Sequence, residues 1–371
     1  MKERAIDAIV MQSGNDWLGG LVRWFTDIPA NNGYSRTAIF PLDEPMFVVE
    51  MGPFDGRRIL RDKDRVHRGV KEIRTSPAFD SIDYTAHYEP KIVANILKER
   101  GYRTIGLARG ANLPHALVTA IMEMLPDPAR LVDVTEFLDA IVCVKSEEET
   151  ACLRSVAALQ DAVFAHVLNF IRPGLRDVDV AAEAWREAQR LGSEQGIILG
   201  ASAPLGRPAL FSGRHFQGRT LAKGDHLSLL IEVNGQGGLY AELGRTIVLG
   251  RASSELLDGF SAVAEAQNAT LRHMRVGVAC GAVAAAHDSF MRSIGLPVER
   301  RLYSHGQGCD MVERPLIRRD ETMSLLSGMC LAVHPGYETP SLFAVICDNY
   351  LIGPDGPGKC LHKTEKKVFE V

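Results

Sequence analysis

Apolar positions along the chain follow two alternating periods. Residues 5–12 form a short strand-like run, closed by turn residues at Gly14-Asn15-Asp16 and Gly19-Gly20. Arg36–Leu42 and Met46–Met51 read as paired strands across Asp43-Glu44-Pro45, Lys91–Arg100 as a helix and Thr104–Leu107 as a strand. This alternation predicts an α/β domain over residues 1–143. The pattern then changes to longer helical runs. Ser146 with Glu149 three residues on predicts a capping box, and Glu147, Glu148 and Glu149 suit the positive end of a helix running to about Ile171. Pro173-Gly174 breaks that helix before a second one, which Gly192 ends.

The second region, residues 146–371, repeats itself. Gly174 and Gly192 are 18 residues apart, as are Gly277 and Gly295, and the two copies are offset by 103. Each copy follows an Ala-rich helix and leads into strand-like sequence, which predicts two similar halves. The second copy leads into Ser304-His305-Gly306-Gln307-Gly308, then Val312-Glu313-Arg314-Pro315, Gly328-Met329, Val333-His334-Pro335-Gly336 and Cys347-Asp348. Two histidines and several acids thus sit in short apolar runs between turns, and strand alternation can aim them into one pocket.

Composition narrows the function classes. Net charge is −4 and the pI about 6.3, which predicts neither a nucleic-acid nor a membrane surface. The seven cysteines are odd in number and form no Cys-x-x-Cys pair. That argues against a disulfide framework or a zinc ribbon and for a reducing, cytoplasmic setting. The N-terminus lacks the apolar core of a signal peptide, and no uninterrupted apolar run approaches the length of a membrane span. Trp17 and Trp24 fall within one short aromatic region, read either as a small core or as a wall for a ligand.

From about residue 140 onward the chain resembles the pitta-bread family, which includes creatinase, methionine aminopeptidase and the proline-specific aminopeptidases and dipeptidases. The resemblance rests on His305-Gly306-Gln307-Gly308, Val312-Glu313, Gly328-Met329, His334-Pro335 and Cys347-Asp348, with Gly224-Asp225 and Arg245-Thr246 in the first half. It implies an N-terminal creatinase-like α/β domain and a C-terminal pitta-bread domain of duplicated α+β halves. In the peptidases of this family the five metal positions carry Asp, Asp, His, Glu and Glu. Here the corresponding positions read Leu230, Glu242, His305, His334 and Cys347, with Glu232 two residues beyond the first. Such a set lacks the carboxylates that bridge two ions and offset their charge, so no dinuclear centre is expected. A single ion on His305, His334 and Glu242 or Asp348 stays open.

Creatinase keeps this frame without the metal set and works by histidine acid–base catalysis. The resemblance therefore points to His215, Glu242, His305 and His334 as catalytic candidates, with Arg214, Glu313, Asp348 and Trp17 near the substrate. Three functions remain open. One is a metal-independent, creatinase-like hydrolase that cleaves a C–N bond of a small polar substrate. Another is a mononuclear Fe, Zn or Mn enzyme, an Xaa-Pro-peptidase-like hydrolase or a lyase or decarboxylase. The third is a non-catalytic binding protein. Relatives of the creatinase type also imply a homodimer in which the Trp17–Tyr34 region of one chain helps close the pocket of the other.

Overall fold

The first strands form because β-branched and aromatic residues cluster between turn residues. A computed structural model describes the whole chain except residues 14–19, 30–33, 62–63, 80, 126–129 and 212–217. The expected site residues Trp17, Arg214 and His215 lie outside the described residues. The chain divides into two compact units, Met1–Ile141 and Val142–Val371.

The first unit runs β1 (Ala8–Ser13), α1 (Gly20–Thr26), β2 (Arg36–Pro41), β3 (Met46–Met51), β4 (Gly56–Ile59), β5 (Val70–Ser76), α2 (Tyr88–Arg100), β6 (Thr104–Leu107), α3 (His115–Met124), β7 (Arg130–Asp133) and α4 (Thr135–Val142). Its seven strands form one mixed sheet in the order β4-β5-β3-β2-β1-β6-β7. Ala8, Val10, Ile39, Phe47, Val49 and Ile105 on the sheet pack against Val93, Ile96 and Leu97 of α2 and Leu117 and Ile121 of α3. Full burial of each valine, leucine, isoleucine or phenylalanine among them contributes roughly 1.5–3 kcal/mol.

The second unit opens with α5 (Glu147–Phe170), capped as the sequence predicts. Ser146 Oγ accepts from Glu149 N at 3.2 Å, and Glu149 Oε2 accepts from Ser146 N at 2.8 Å. By length and composition α5 could cross a membrane. Its Val163, Phe164 and Val167 pack instead into the core of this unit. Then come α6 (Asp177–Arg190), β8 (Gly196–Pro204), β9 (Asp225–Asn234), β10 (Tyr240–Val248), α7 (Ser254–His273), α8 (Cys280–Ser293), β11 (Ser304–Gly306), β12 (Glu313–Leu316), β13 (Cys330–Val333), β14 (Gly336–Glu338), β15 (Phe343–Val345), β16 (Asp348–Gly353), β17 (Gly356–Cys360) and β18 (Phe369–Glu370). A four-stranded sheet, β18-β10-β9-β8, and a five-stranded sheet, β12-β11-β13-β16-β17, carry the two halves.

The halves repeat the same local devices. Gly174 N donates to Leu221 O and Gly277 N to Leu325 O, both at 2.8 Å. Gly174, Gly192, Gly277 and Gly295 all take positive φ, the backbone region that glycine enters without strain. Gln160 of α5 donates to Val233 O at 3.0 Å, and Gln267 of α7 donates to Val333 O at 2.9 Å. One buried glutamine thus ties each long helix to a strand beneath it.

Candidate functional site

All ten residues of β9 and all nine of β10 are buried, so the alternation of side chains decides which face meets which layer. Leu227, Leu229, Ile231 and Val233 of β9, with Leu243 and Ile247 of β10, join the core formed with α5 and α6. Leu230, Glu232, Glu242 and Gly244 therefore share the opposite face. The β9–β10 register sets Glu232 directly across from Glu242 and Leu230 across from Gly244. The family spacing places Leu230 at the first carboxylate position. The register, set by the short turn at 235–239, puts Glu232 beside Glu242 instead, so the site holds a pair of carboxyl groups.

The second half brings up the histidines. His305 on β11 pairs with Ala332 of β13, and His334 follows β13 directly, its N donating to Tyr303 O at 2.7 Å. The His305 and His334 rings meet edge to face, with centroids 5.1 Å apart. Donor atoms of Glu242, His305 and His334 all lie within 4.8 Å of one another. Cys347 closes the group: its Sγ donates to Glu242 Oε1 at 2.7 Å. The two sheets join here through a backbone bridge, with Gly244 N donating to Cys347 O at 3.1 Å and Cys347 N to Gly244 O at 3.2 Å. A Cβ on Gly244 would lie 2.8 Å from that of Cys347, so the bridge requires glycine.

An amide chain fixes the pair of acids. Glu242 N donates to Asn349 Oδ1 at 2.7 Å, Asn349 Nδ2 donates to Gln307 Oε1 at 2.7 Å, and Gln307 Nε2 donates to Glu232 Oε1 at 2.8 Å. Burial, reinforced by the neighbouring Glu242 charge, pushes Glu232 well above the usual carboxyl range. Burial also acts to raise Glu242. His334, His305, the Cys347 thiol and the proton on Glu232 outweigh it and hold Glu242 below its ordinary value. Burial also lowers His334 to about 4, against the pull of Glu242. Burial and the shared charge thus push the two acids apart, Glu232 towards its protonated form and Glu242 towards its carboxylate.

Two other sequence candidates occupy different surroundings. Glu313 forms a buried ion pair with Lys145 at 2.5 Å, and Lys145 also donates to Val142 O. Val312, where the family has its second histidine, is exposed. Asp348 is fully buried and accepts from Arg245 Nη2 at 2.7 Å and from Gln267 Nε2 at 3.1 Å. Asp348 and Glu313 are therefore engaged by cations of the chain itself. Glu232, Gln307 and Asn349 were not among the expected site residues. Gln307 lies inside the His-Gly-Gln-Gly turn, and that placement is its one sequence signal.

A dinuclear metal centre does not fit these residues. Glu232 and Glu242 are the two acids that β9 and β10 set side by side on this face, burial pushes Glu232 towards its protonated form, and His334 and Cys347 stand where further carboxylates would be needed. A single ion does fit Glu242, His305 and His334. His305 Nδ1 donates to Gly306 O at 2.9 Å, which leaves Nε2 as an acceptor. His334 Nε2 is buried without a hydrogen-bond partner, its contact with Glu242 Oε1 at 3.5 Å being too long.

Acid should weaken the folded state through two histidines. Burial lowers both His287 and His334 to about 4 from the ordinary 6.5. Both are neutral when folded, so their contribution is complete above about pH 6.5 and falls away as pH drops towards 4. The urea midpoint of metal-free protein should therefore fall from pH 7 to 4.5. The fall should shrink in His287→Gln and His334→Gln. An unchanged slope in both variants would refute this assignment.

The fold and the paired sheets with their central histidine–carboxylate cluster define a pitta-bread protein behind an N-terminal α/β unit. The family model for metallopeptidase family M24 matches residues 151–354, more than half of the chain, and the chain belongs to that family. The "Probable dipeptidase PepE" of Mycobacterium tuberculosis is 29% identical over 229 residues, 60% of this chain and 59% of the relative. The chain thus spans about three-fifths of that relative's length. The X-Pro aminopeptidase of Thermotoga maritima shares the fold at TM-score 0.79 and 18% identity, over 100% of this chain and 99% of that one. The prolidase of Pyrococcus furiosus does so at TM-score 0.77 and 20% identity, over 98% of each chain.

Proposed function

We propose that this chain is a hydrolase cleaving a C–N bond of a small polar substrate, with Glu242, His305 and His334 at its reacting centre. The observation that carries this reading is the convergence of those three side chains, whose donor atoms lie within 4.8 Å of one another. Glu242 is the group able to accept a proton from an attacking water. Glu232, which burial pushes towards its protonated form, is the neighbouring group able to give one back. The relatives named as peptidases and dipeptidases support hydrolysis of an amide or a related C–N bond.

A metal-independent route and a mononuclear one use the same three residues. The unpartnered His334 Nε2 and the tautomer held on His305 favour the mononuclear version. When bound, such an ion supplies a Lewis acid for a substrate carbonyl. The residues orient the substrate and move the protons in either case. The test is turnover on Xaa-Pro dipeptides and on small ureido and amidino compounds, before and after chelation. Activity that survives chelation identifies the metal-independent form. Activity restored by one equivalent of Mn, Fe or Zn identifies the mononuclear form. Hydrolysis of none of these C–N bonds under either condition would overturn the proposal. Elemental analysis after dialysis should find at most about one equivalent of Mn, Co, Zn or Fe per chain, as three donors allow. A value near two would refute the donor argument.

A further inference from the structure

A cavity of about 550 Å³ opens where the N-terminal half of α5 meets β16, β17 and residues 361–363. Ala158, Leu351 and Leu361 give it an apolar floor, while Arg154, Lys359 and Lys363 line it with positive charge. The three cationic side chains are exposed and make no ion pair or hydrogen bond among the described residues. The single acid in the wall, Asp161, is already engaged. Its carboxylate accepts from Lys363 N at 2.8 Å, Thr364 N at 2.9 Å and Thr364 Oγ1 at 2.6 Å. Three cations against one acid leave the cavity with an excess of positive charge beside apolar surface, within the size range of small-molecule sites.

We propose that this cavity is a second binding site, for a small organic anion that carries a carboxylate or phosphate on an apolar body. Arg154 offers a planar fork for the anionic group, and Lys359 and Lys363 add point charges. The floor receives the apolar part. The position also gives an occupant a mechanical route to the centre described above. His362 lies between Leu361 and Lys363, and its Nε2 meets Gln160 Oε1 at 3.0 Å. Gln160 in turn donates to Val233 O at 3.0 Å and to Ala241 O, the carbonyls next to Glu232 and Glu242. An anion that draws Lys363 towards Arg154 loads the segment holding His362, and through it the two strands that carry the acids.

Calorimetric titration of the full chain with hexanoate, hexylammonium and inorganic phosphate tests the proposal, with the Arg154→Glu/Lys363→Glu double variant as control. Hexanoate should bind saturably to the unaltered chain, phosphate more weakly, and hexylammonium not at all. Charge reversal at two contacts should weaken hexanoate at least about tenfold, with turnover and melting temperature unchanged. If the double variant folds poorly, Lys359→Ala should weaken hexanoate by a smaller factor in the same direction. Absence of saturable hexanoate binding would overturn the site, as would equal affinity in the variants. Binding of hexylammonium as tight as hexanoate would overturn its charge selectivity, and phosphate binding as tight as hexanoate would overturn the role of the floor.

Discussion

Replacing Glu242 by Gln should cut turnover by about 100-fold or more while leaving the melting temperature nearly unchanged, and His305→Ala should behave alike. Gln keeps the volume of Glu242 and can still accept from the Cys347 thiol 2.7 Å away. It removes the carboxylate from a centre where burial pushes Glu232 towards its protonated form and lowers the His334 pKa. Among the described residues the His305 ring makes one hydrogen bond, Nδ1 to the carbonyl of the adjacent Gly306, so few polar contacts go with the ring. If these residues were structural, each variant would melt earlier and lose activity only in proportion. Full turnover in either variant on a confirmed substrate would end the assignment. Steady-state rates together with differential scanning calorimetry decide between the two.

The largest loss of stability should come from the Arg245–Asp348 pair. Both side chains are fully buried, 2.7 Å apart. The guanidinium also donates to Gly244 O, Cys347 O, Thr364 O and Glu365 O, so its fork is fully used. Removing Asp348 leaves a buried cation without its counter-charge, which costs about 3–5 kcal/mol. Asp348→Ala should accordingly shift the urea midpoint far more than substitution of an exposed ion pair such as Arg318–Asp320, worth about 0–1 kcal/mol. Arg245→Lys should also be costly, because an ammonium cannot reach five acceptors spread around a planar fork. Equal denaturation midpoints for Asp348→Ala and the unaltered chain would show that the pair holds nothing together.

Much of the fold is legible in the sequence because its signals are local. The box at Ser146 and Glu149, the strand at Thr104–Leu107 and the repeated glycine pairs each depend on residues a few positions apart. The hairpin of β4 and β5 is less legible: Arg57, Arg58 and Ile59 on its edge strand are exposed, so no apolar alternation marks them. Glu232 marks the limit within the site. Its partner across the sheet is fixed by the register of a hairpin, and a shift of two residues exchanges a leucine for an acid on the same face. The amides of Gln160, Gln307 and Asn349 are harder still to foresee. Each bonds to residues far along the chain, and only the place of Gln307 in the His-Gly-Gln-Gly turn hints at a role.

The bridge between Gly244 and Cys347 gives the protein a built-in reporter. Two amide hydrogens, on Gly244 and on Cys347, staple the two sheets at the spot where Glu242 and the histidines meet. Any occupant that pulls Glu242 and His334 together tightens that staple, and any loosening of the seam unfastens it. Deuterium uptake at these two amides should therefore fall when a ligand occupies the centre, with no need for a substrate that turns over.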